Sequence, residues 1–126
     1  MNQTIAQQIN WDFRANGSLE IKNKNSKRIY LENSDGFWSK MEYDSKGKLI
    51  YCDNSNGFWS KYEYDSKGNQ IYHENSGGYW ERKEHNSEGN EIYFENSNGI
   101  IIDNRPKPYE NKITEIEGIK YKLIKL

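Results

Sequence analysis

Two pairs of carboxylates, Glu42 with Asp44 and Glu63 with Asp65, recur one repeat apart and have the spacing of side chains on the same face of a strand. Two carboxyl groups held in this way can act as acid and base on a glycosidic bond. Their recurrence in successive copies fits a solvated charged stripe better than a single reaction centre. His73 and His85 are the only histidines. Each stands where other copies carry a different residue: Leu31, Cys52 and Phe94 for the first, Tyr43 and Tyr64 for the second. A position that accepts such exchanges is not fixed by catalysis. Cys52, the only cysteine, fills the slot of Leu31 and reads as a small half-buried hydrophobe. No intramolecular disulfide is available, which suits a reducing compartment.

The loops Asp-Ser-Lys-Gly at 44–47 and 65–68 are rich in oxygen but lack the ligand spacing of a calcium-binding hand. Turn formation explains them, because Asp and Ser bond their own backbone and Gly adopts positive φ. No glycine loop for phosphate, CxxC, HExxH or GxSxG occurs, so neither a metal nor a cofactor is expected. Trp38, Trp59 and Trp80 return every 21 residues and should form a ladder. It serves packing, or it is a stacking platform for sugars, bases or a protein hot spot.

The elements that position these residues follow from the same period. IYLENSDGFWSKMEYDSKGKL from Ile29, IYCDNSNGFWSKYEYDSKGNQ from Ile50, IYHENSGGYWERKEHNSEGNE from Ile71 and a broken copy from Ile92 define a 21-residue repeat. Self-similarity of this kind means stacked supersecondary units with atypical ends. A fainter copy is expected before them, with Asn16-Gly17 aligned on Asn56-Gly57. Within a unit, the β-prone runs Ile50 to Asp53 and Phe58 to Tyr64 flank Asn56-Gly57, the signature of a two-residue type I′ hairpin turn. Asp35-Gly36, Gly77-Gly78 and Asn98-Gly99 take the same place. Units join through Ser45-Lys46-Gly47, Ser66-Lys67-Gly68 and Ser87-Glu88-Gly89, read as loops of three to five residues with Gly in the left-handed region.

The expected fold is all-β: tandem β-hairpin repeats in a twisted antiparallel meander or solenoid of about eight to ten strands. A two-residue turn sets Asn54 opposite Trp59, Cys52 opposite Lys61 and Tyr51 opposite Tyr62. Phe58, Tyr62, Tyr64 and Tyr51 then share the face expected to be buried, while Trp59, Ile50, Lys61, Glu63 and Asp65 share the other. A one-residue change of loop length would exchange these roles. Residues 1–28 form a degenerate N-terminal repeat or cap, 29–104 the array, and 105–126 a linker with Pro106 and Pro108 followed by a hairpin. That hairpin, around Glu117-Gly118, is expected to cover the open sheet edge. All three belong to one compact domain.

The stretch Gly57 to Asn69, GFWSKYEYDSKGN, resembles the YD repeat of Rhs and teneurin-type proteins, with its first glycine, its Tyr-Asp pair and the glycine three residues on. It is also similar to MORN-type repeats of comparable length. The resemblance covers 29–104 and places the Tyr-Asp pair at Tyr43-Asp44 and Tyr64-Asp65, whereas His85-Asn86 departs from it. It implies a β scaffold without catalytic residues. Rhs shells are far larger, and a short array of this kind is similar in style to small proteins carried by phages and other mobile elements.

Composition narrows the function further. Apolar residues are 33% and charged residues 29% of the chain, so no thick two-sided core can form and the ten Tyr and four Trp must supply much of the burial. The N-terminal stretch has no basic n-region followed by an apolar run, and no membrane-length apolar stretch occurs; a soluble, cytoplasmic protein is expected. The net charge of −1 is segregated: five Lys/Arg against two Asp/Glu in 1–28, seven against fourteen in 29–104, and six against three in 105–126. An acidic aromatic sheet is a poor ligand for nucleic acid but suits the basic groove of a protein that binds it.

The sequence therefore points to a non-enzymatic protein-binding module using Glu42, Asp44, Trp59, Glu63 and Asp65. Its expected partner is a host protein with a basic groove, such as a CRISPR effector nuclease, and the expected role is that of a phage or mobile-element inhibitor. The alternative is a carbohydrate- or cell-wall-binding repeat that uses the Trp ladder.

Overall fold

The computed structural model describes residues 2–107 and, beyond them, the backbone of two strands at 113–116 and 119–122. Two short helices, α1 (Ile5–Ile9) and α2 (Phe13–Asn16), precede nine strands: β1 (Leu19–Lys22), β2 (Arg28–Glu32), β3 (Trp38–Tyr43), β4 (Leu49–Asn54), β5 (Trp59–Tyr64), β6 (Gln70–Asn75), β7 (Trp80–His85), β8 (Glu91–Asn96) and β9 (Ile101–Asp103). The nine form a single antiparallel sheet in sequence order. With β1 and β9 as its two edges, the sheet is an open meander. Strands β10 (Ile113–Ile116) and β11 (Ile119–Lys122) pair only with each other, so the C-terminal hairpin is present as a separate two-stranded sheet. Its turn at Glu117-Gly118, and Pro108, lie outside the described residues.

The turns of the array share one backbone construction, and all but the turn at Asn33 add an amide bond to the side chain of their first residue. The Asn54 amide donates to Phe58 O (3.0 Å), the Gly57 amide to Asn54 O (3.0 Å), and the Asn56 amide to the side chain of Asn54 (2.9 Å). Gly57 alone adopts positive φ, at 84°. The loop thus has three residues, not two, and the type I′ turn is overturned, because it would need positive φ at both central positions. The side chain of Asn54 is the physical reason, since it takes up the amide that a longer loop exposes. The connections between units, such as Asp65 to Asn69 with Gly68 at φ 87°, repeat this design as expected.

The extra loop residue moves the register by one. Asp53 faces Trp59, Cys52 faces Ser60 and Tyr51 faces Lys61. Tyr51 therefore leaves the face of Tyr62 and Tyr64 and joins Trp59, Lys61 and Glu63. On the other side of β4 the ladder shifts between Glu42, which faces Tyr51, and Tyr43, which faces Leu49, so that Ile50 is an extra residue in a bulge. Ile71 and Ile92 hold the same place in later units. Successive turns start alternately 11 and 10 residues apart, at Asn33, Asp44, Asn54, Asp65, Asn75, Asn86 and Asn96, and the bulged residue lets this odd 21-residue period return each copy to the same face.

Neighbouring units are bolted together at both ends. The Trp38 amide donates to Ser55 Oγ (3.1 Å) while its carbonyl accepts the Ser55 amide (2.9 Å), and Trp59 with Ser76 and Trp80 with Ser97 repeat the arrangement. At the opposite rim the Tyr43 hydroxyl donates to Arg28 O and the Tyr64 hydroxyl to Leu49 O, both at 2.7 Å.

The N-terminal segment departs from the expected faint repeat. Gly17 closes α2, its amide donating to Phe13 O, and the first turn of the array is Asn23 to Lys27, with Ser26 at φ 63° where later turns have Gly. This turn aligns with Asp44 and Asp65, so Leu19 and Ile21 occupy the slots of Lys40 and Glu42. Those apolar residues form a floor on which α1 rests: Ala6, Leu19 and Tyr30 are buried among Ile5, Trp11, Phe13, Ile21 and Trp38. A capping box between Thr4 and Gln7 fixes the start of α1. The Ala6 amide and the Tyr30 hydroxyl both donate to Glu32 (3.0 and 2.8 Å). Burial opposes the charge on Glu32, yet hydrogen bonds from Thr4, Ala6 and Tyr30 outweigh it and hold its carboxyl below the usual value.

Candidate functional site: an acidic aromatic sheet face

Residues two apart on a strand, and residues directly opposed across a ladder, share a sheet face. Beyond α1 this rule gathers one face from repeated sets. The odd strands carry Trp38, Lys40 and Glu42, then Trp59, Lys61 and Glu63, then Trp80, Arg82 and Glu84. Between them the even strands carry Tyr51 and Asp53, Tyr72 and Glu74, and Tyr93 and Glu95. Successive copies stand two strands, about 9.6 Å, apart.

The cations of this face turn to rings before acids. Lys40 faces Asp53 across the ladder, but its ammonium lies 4.9 Å from the Trp38 ring; Lys61 faces Glu74 and lies 5.4 Å from the Trp59 ring. Among the described residues ion pairs form on it only toward the C-terminal end, Arg82 with Glu95 at 2.7 Å and Arg105 with Glu84 at 3.0 Å and with Asp103 at 2.9 Å. Among the described residues Glu42, Asp53 and Glu63 have neither an ion pair nor a side-chain hydrogen bond, and Glu74 takes only the Tyr72 hydroxyl. Burial, then the charges of Asp53 and Glu42, raise the pKa of Tyr51. A shallow groove of about 620 Å³ opens beside Tyr72, lined by Glu63, Ile71, Glu84, His85 and Arg105 among others.

Of the residues expected to bind a partner, Trp59, Glu42 and Glu63 share this face. Asp44 and Asp65 belong to the turns. Asp44 Oδ1 accepts the amides of Lys46 and Lys48 (both 2.9 Å), and Asp65 Oδ1 accepts those of Lys67 and Asn69 (3.0 and 2.9 Å). The Asn69 amide, above all, lowers the pKa of Asp65. An acid–base pair of Glu63 with Asp65 would thus have to draw on a carboxylate already committed to its loop.

The opposite face holds a contact that sequence reasoning missed. Ser60 Oγ lies 3.2 Å from His73 Nε2 and 3.2 Å from the Tyr62 hydroxyl, and the Tyr62 and His73 rings stack at 4.8 Å with an 8° interplanar angle. Ser60 is only 2% exposed, so its hydroxyl is closed to a substrate and the cluster packs the sheet. His85 fills the slot of Tyr43 and Tyr64, and its shorter ring leaves Nδ1 buried with no hydrogen-bond partner among the described residues. Cys52 is half-buried opposite Ser60 and Met41, and burial, then Asp53, push its thiol pKa up, away from the reactive thiolate. Arg105 was also missed, because its role depends on strand order that only the fold reveals.

Comparison with models of known protein families gives no match to this chain, and comparison with curated proteins gives none either.

Proposed function

We propose that this chain is a non-enzymatic protein-binding module whose acidic aromatic face engages a basic groove on a nucleic-acid-handling protein. The concrete form of the proposal is a phage or mobile-element inhibitor that occupies the groove of a defence nuclease such as a CRISPR effector. One observation carries the reading. Among the described residues Glu42, Asp53 and Glu63 stand unpaired on a single face, interleaved with the half-buried rings of Tyr51, Trp59 and Tyr72. Aromatic anchors among charges that their own protein leaves unneutralised are what a partner of opposite charge uses. Sugar binding by the Trp ladder is less favoured, since Lys40 and Lys61 lie over Trp38 and Trp59 and would have to be displaced.

The test is calorimetry with a basic partner captured from host lysate, at two salt concentrations. Glu42→Lys with Glu63→Lys should slow association and weaken binding. Parent affinity should fall as salt rises, because attraction between exposed charges is screened over about 8–10 Å at physiological ionic strength. Affinity indifferent to both would sink the proposal; loss of binding only on changing Trp38, Trp59 and Trp80 to Ala would favour the carbohydrate reading.

A further inference from the structure

We propose that Tyr51 and Tyr72 are seats for arginine side chains of the protein partner. The inference rests on the protein-binding reading above and names the chemistry recognised. Its template lies inside the molecule. At the C-terminal end of the same face, the guanidinium of Arg105 lies 4.1 Å from the centre of the Tyr93 ring. Nη1 donates to Glu84 (3.0 Å), while Nε and Nη2 donate to Asp103 (3.0 and 2.9 Å). Arg82 approaches the same ring at 5.6 Å and pairs with Glu95. Tyr93 is thereby only 6% exposed.

Tyr72 and Tyr51 are the same residue of the repeat one and two units earlier. Glu42 faces Tyr51 and Glu63 faces Tyr72, as Glu84 faces Tyr93. The place that Arg105 holds beside Tyr93 belongs to Glu63 beside Tyr51 and to Glu84 beside Tyr72. The last copy reverses the charge order: Lys61 and Glu63, or Arg82 and Glu84, become Asp103 and Arg105. Among the described residues the array places an arginine at this position once, at its end, and leaves two tyrosines without one: Tyr51 has Glu42 on one neighbouring strand and Lys61 followed by Glu63 on the other, and Tyr72 has Glu63 on one and Arg82 followed by Glu84 on the other. Both rings are half-buried, and among the described residues no cation lies over either. The groove beside Tyr72 offers the space: Glu63, Asp65 and Glu84 line it together with Arg82, Lys83 and Arg105, of which the two arginines are turned to Tyr93 and Lys83 is paired with Glu81 and Glu91.

Arginine fits these seats better than lysine. A guanidinium is planar, so it can lie on a phenol ring and still donate in its own plane to carboxylates on both sides. An ammonium is a compact, strongly hydrated point charge and cannot do both. The seats are two strands apart, about 9.6 Å. A polyproline II chain advances about 9.3 Å in three residues and returns to the same side, so arginines at every third position would match them.

The probe is therefore a synthetic peptide of four Arg-Pro-Pro units and its Lys-Pro-Pro twin, titrated into the full chain by NMR. The arginine peptide should bind on the order of tenfold more tightly at equal ionic strength. Shifts should centre on the Tyr51 and Tyr72 rings. Glu63→Gln, at an exposed carboxylate shared by both seats, should remove most of that preference, and so should Tyr51→Leu with Tyr72→Leu if the spectrum stays folded. Equal affinity for the two peptides, an arginine preference that survives Glu63→Gln, or no binding of either peptide would overturn the seats. Each of these leaves the protein-binding reading standing if the captured partner still responds to salt and to Glu63→Lys. Loss of that response sinks both.

Discussion

Ser76 holds both main-chain groups of Trp59, accepting its amide at Oγ (3.1 Å) and donating its own amide to its carbonyl (2.9 Å). One small side chain in a turn thus closes the end of the preceding hairpin. Ser76→Ala keeps the second bond and loses the first, for an expected cost of about 1 kcal/mol. Ser76→Thr, which retains the hydroxyl, should recover most of it. Urea melts of the three proteins check this, and an unchanged midpoint for Ser76→Ala would show that water replaces the bond freely.

Gly57 should tolerate substitution according to backbone preference and not to space. A Cβ built there meets nothing within 4 Å, whereas φ is 84°. Gly57→Val should cost roughly 1–2 kcal/mol or more, and Gly57→Asn clearly less, because Asn enters the left-handed region readily. Thermal melts should give the order parent, Asn, Val. Ser26, at φ 63° in the equivalent slot of the first turn, shows that a polar residue can be held there.

Stability should depend on pH at both extremes through Tyr30 and Glu32. Hydrogen bonds depress the Glu32 carboxyl in the fold, so its contribution is complete above the ordinary glutamate value and is lost as pH falls through the lower folded value. Burial and the neighbouring Glu32 push Tyr30 up to about 12. Its contribution is complete below about 10, the ordinary tyrosine value, and disappears as pH rises toward the folded one. Glu32→Gln should flatten the acid limb of a stability–pH profile and Tyr30→Phe the alkaline limb. Profiles parallel to the parent would show that the pair does not link folding to protons.

Much of the fold was legible because its signals are local. Asx-Ser-X-Gly tracts mark turns wherever they stand, and the β-prone runs between them are strands. Register was not legible, because Asn56-Gly57 fits a two-residue loop as well as the end of a three-residue one, and the deciding atom is Oδ1 of Asn54. A clue was present, since Asn54-Ser55-Asn56-Gly57 has the pattern of Asp65-Ser66-Lys67-Gly68 and should turn in the same way. That single residue decided whether Tyr51 lay beside Tyr62 or beside Trp59, and with it the composition of the binding face. Helix α1 had its Thr4 and Gln7 box in plain view but too short an apolar pattern to announce itself. The reversed order of Asp103 and Arg105 was visible as letters; that it closes the array needed the strand neighbours.

The bonds between units join each repeat only to the one beside it, through the Trp–Ser and Tyr–carbonyl links. Such a molecule behaves as a ruler marked in steps of 21 residues. Duplicating one unit in the gene inserts two strands, lengthens the sheet by about 9.6 Å and adds one more Tyr–Glu set without disturbing α1 at one end or β9 at the other. Deleting one does the reverse. Reach and valency toward a partner with evenly spaced charges can therefore change in whole increments by recombination alone, with each added contact drawing on the effective concentration set by those already made.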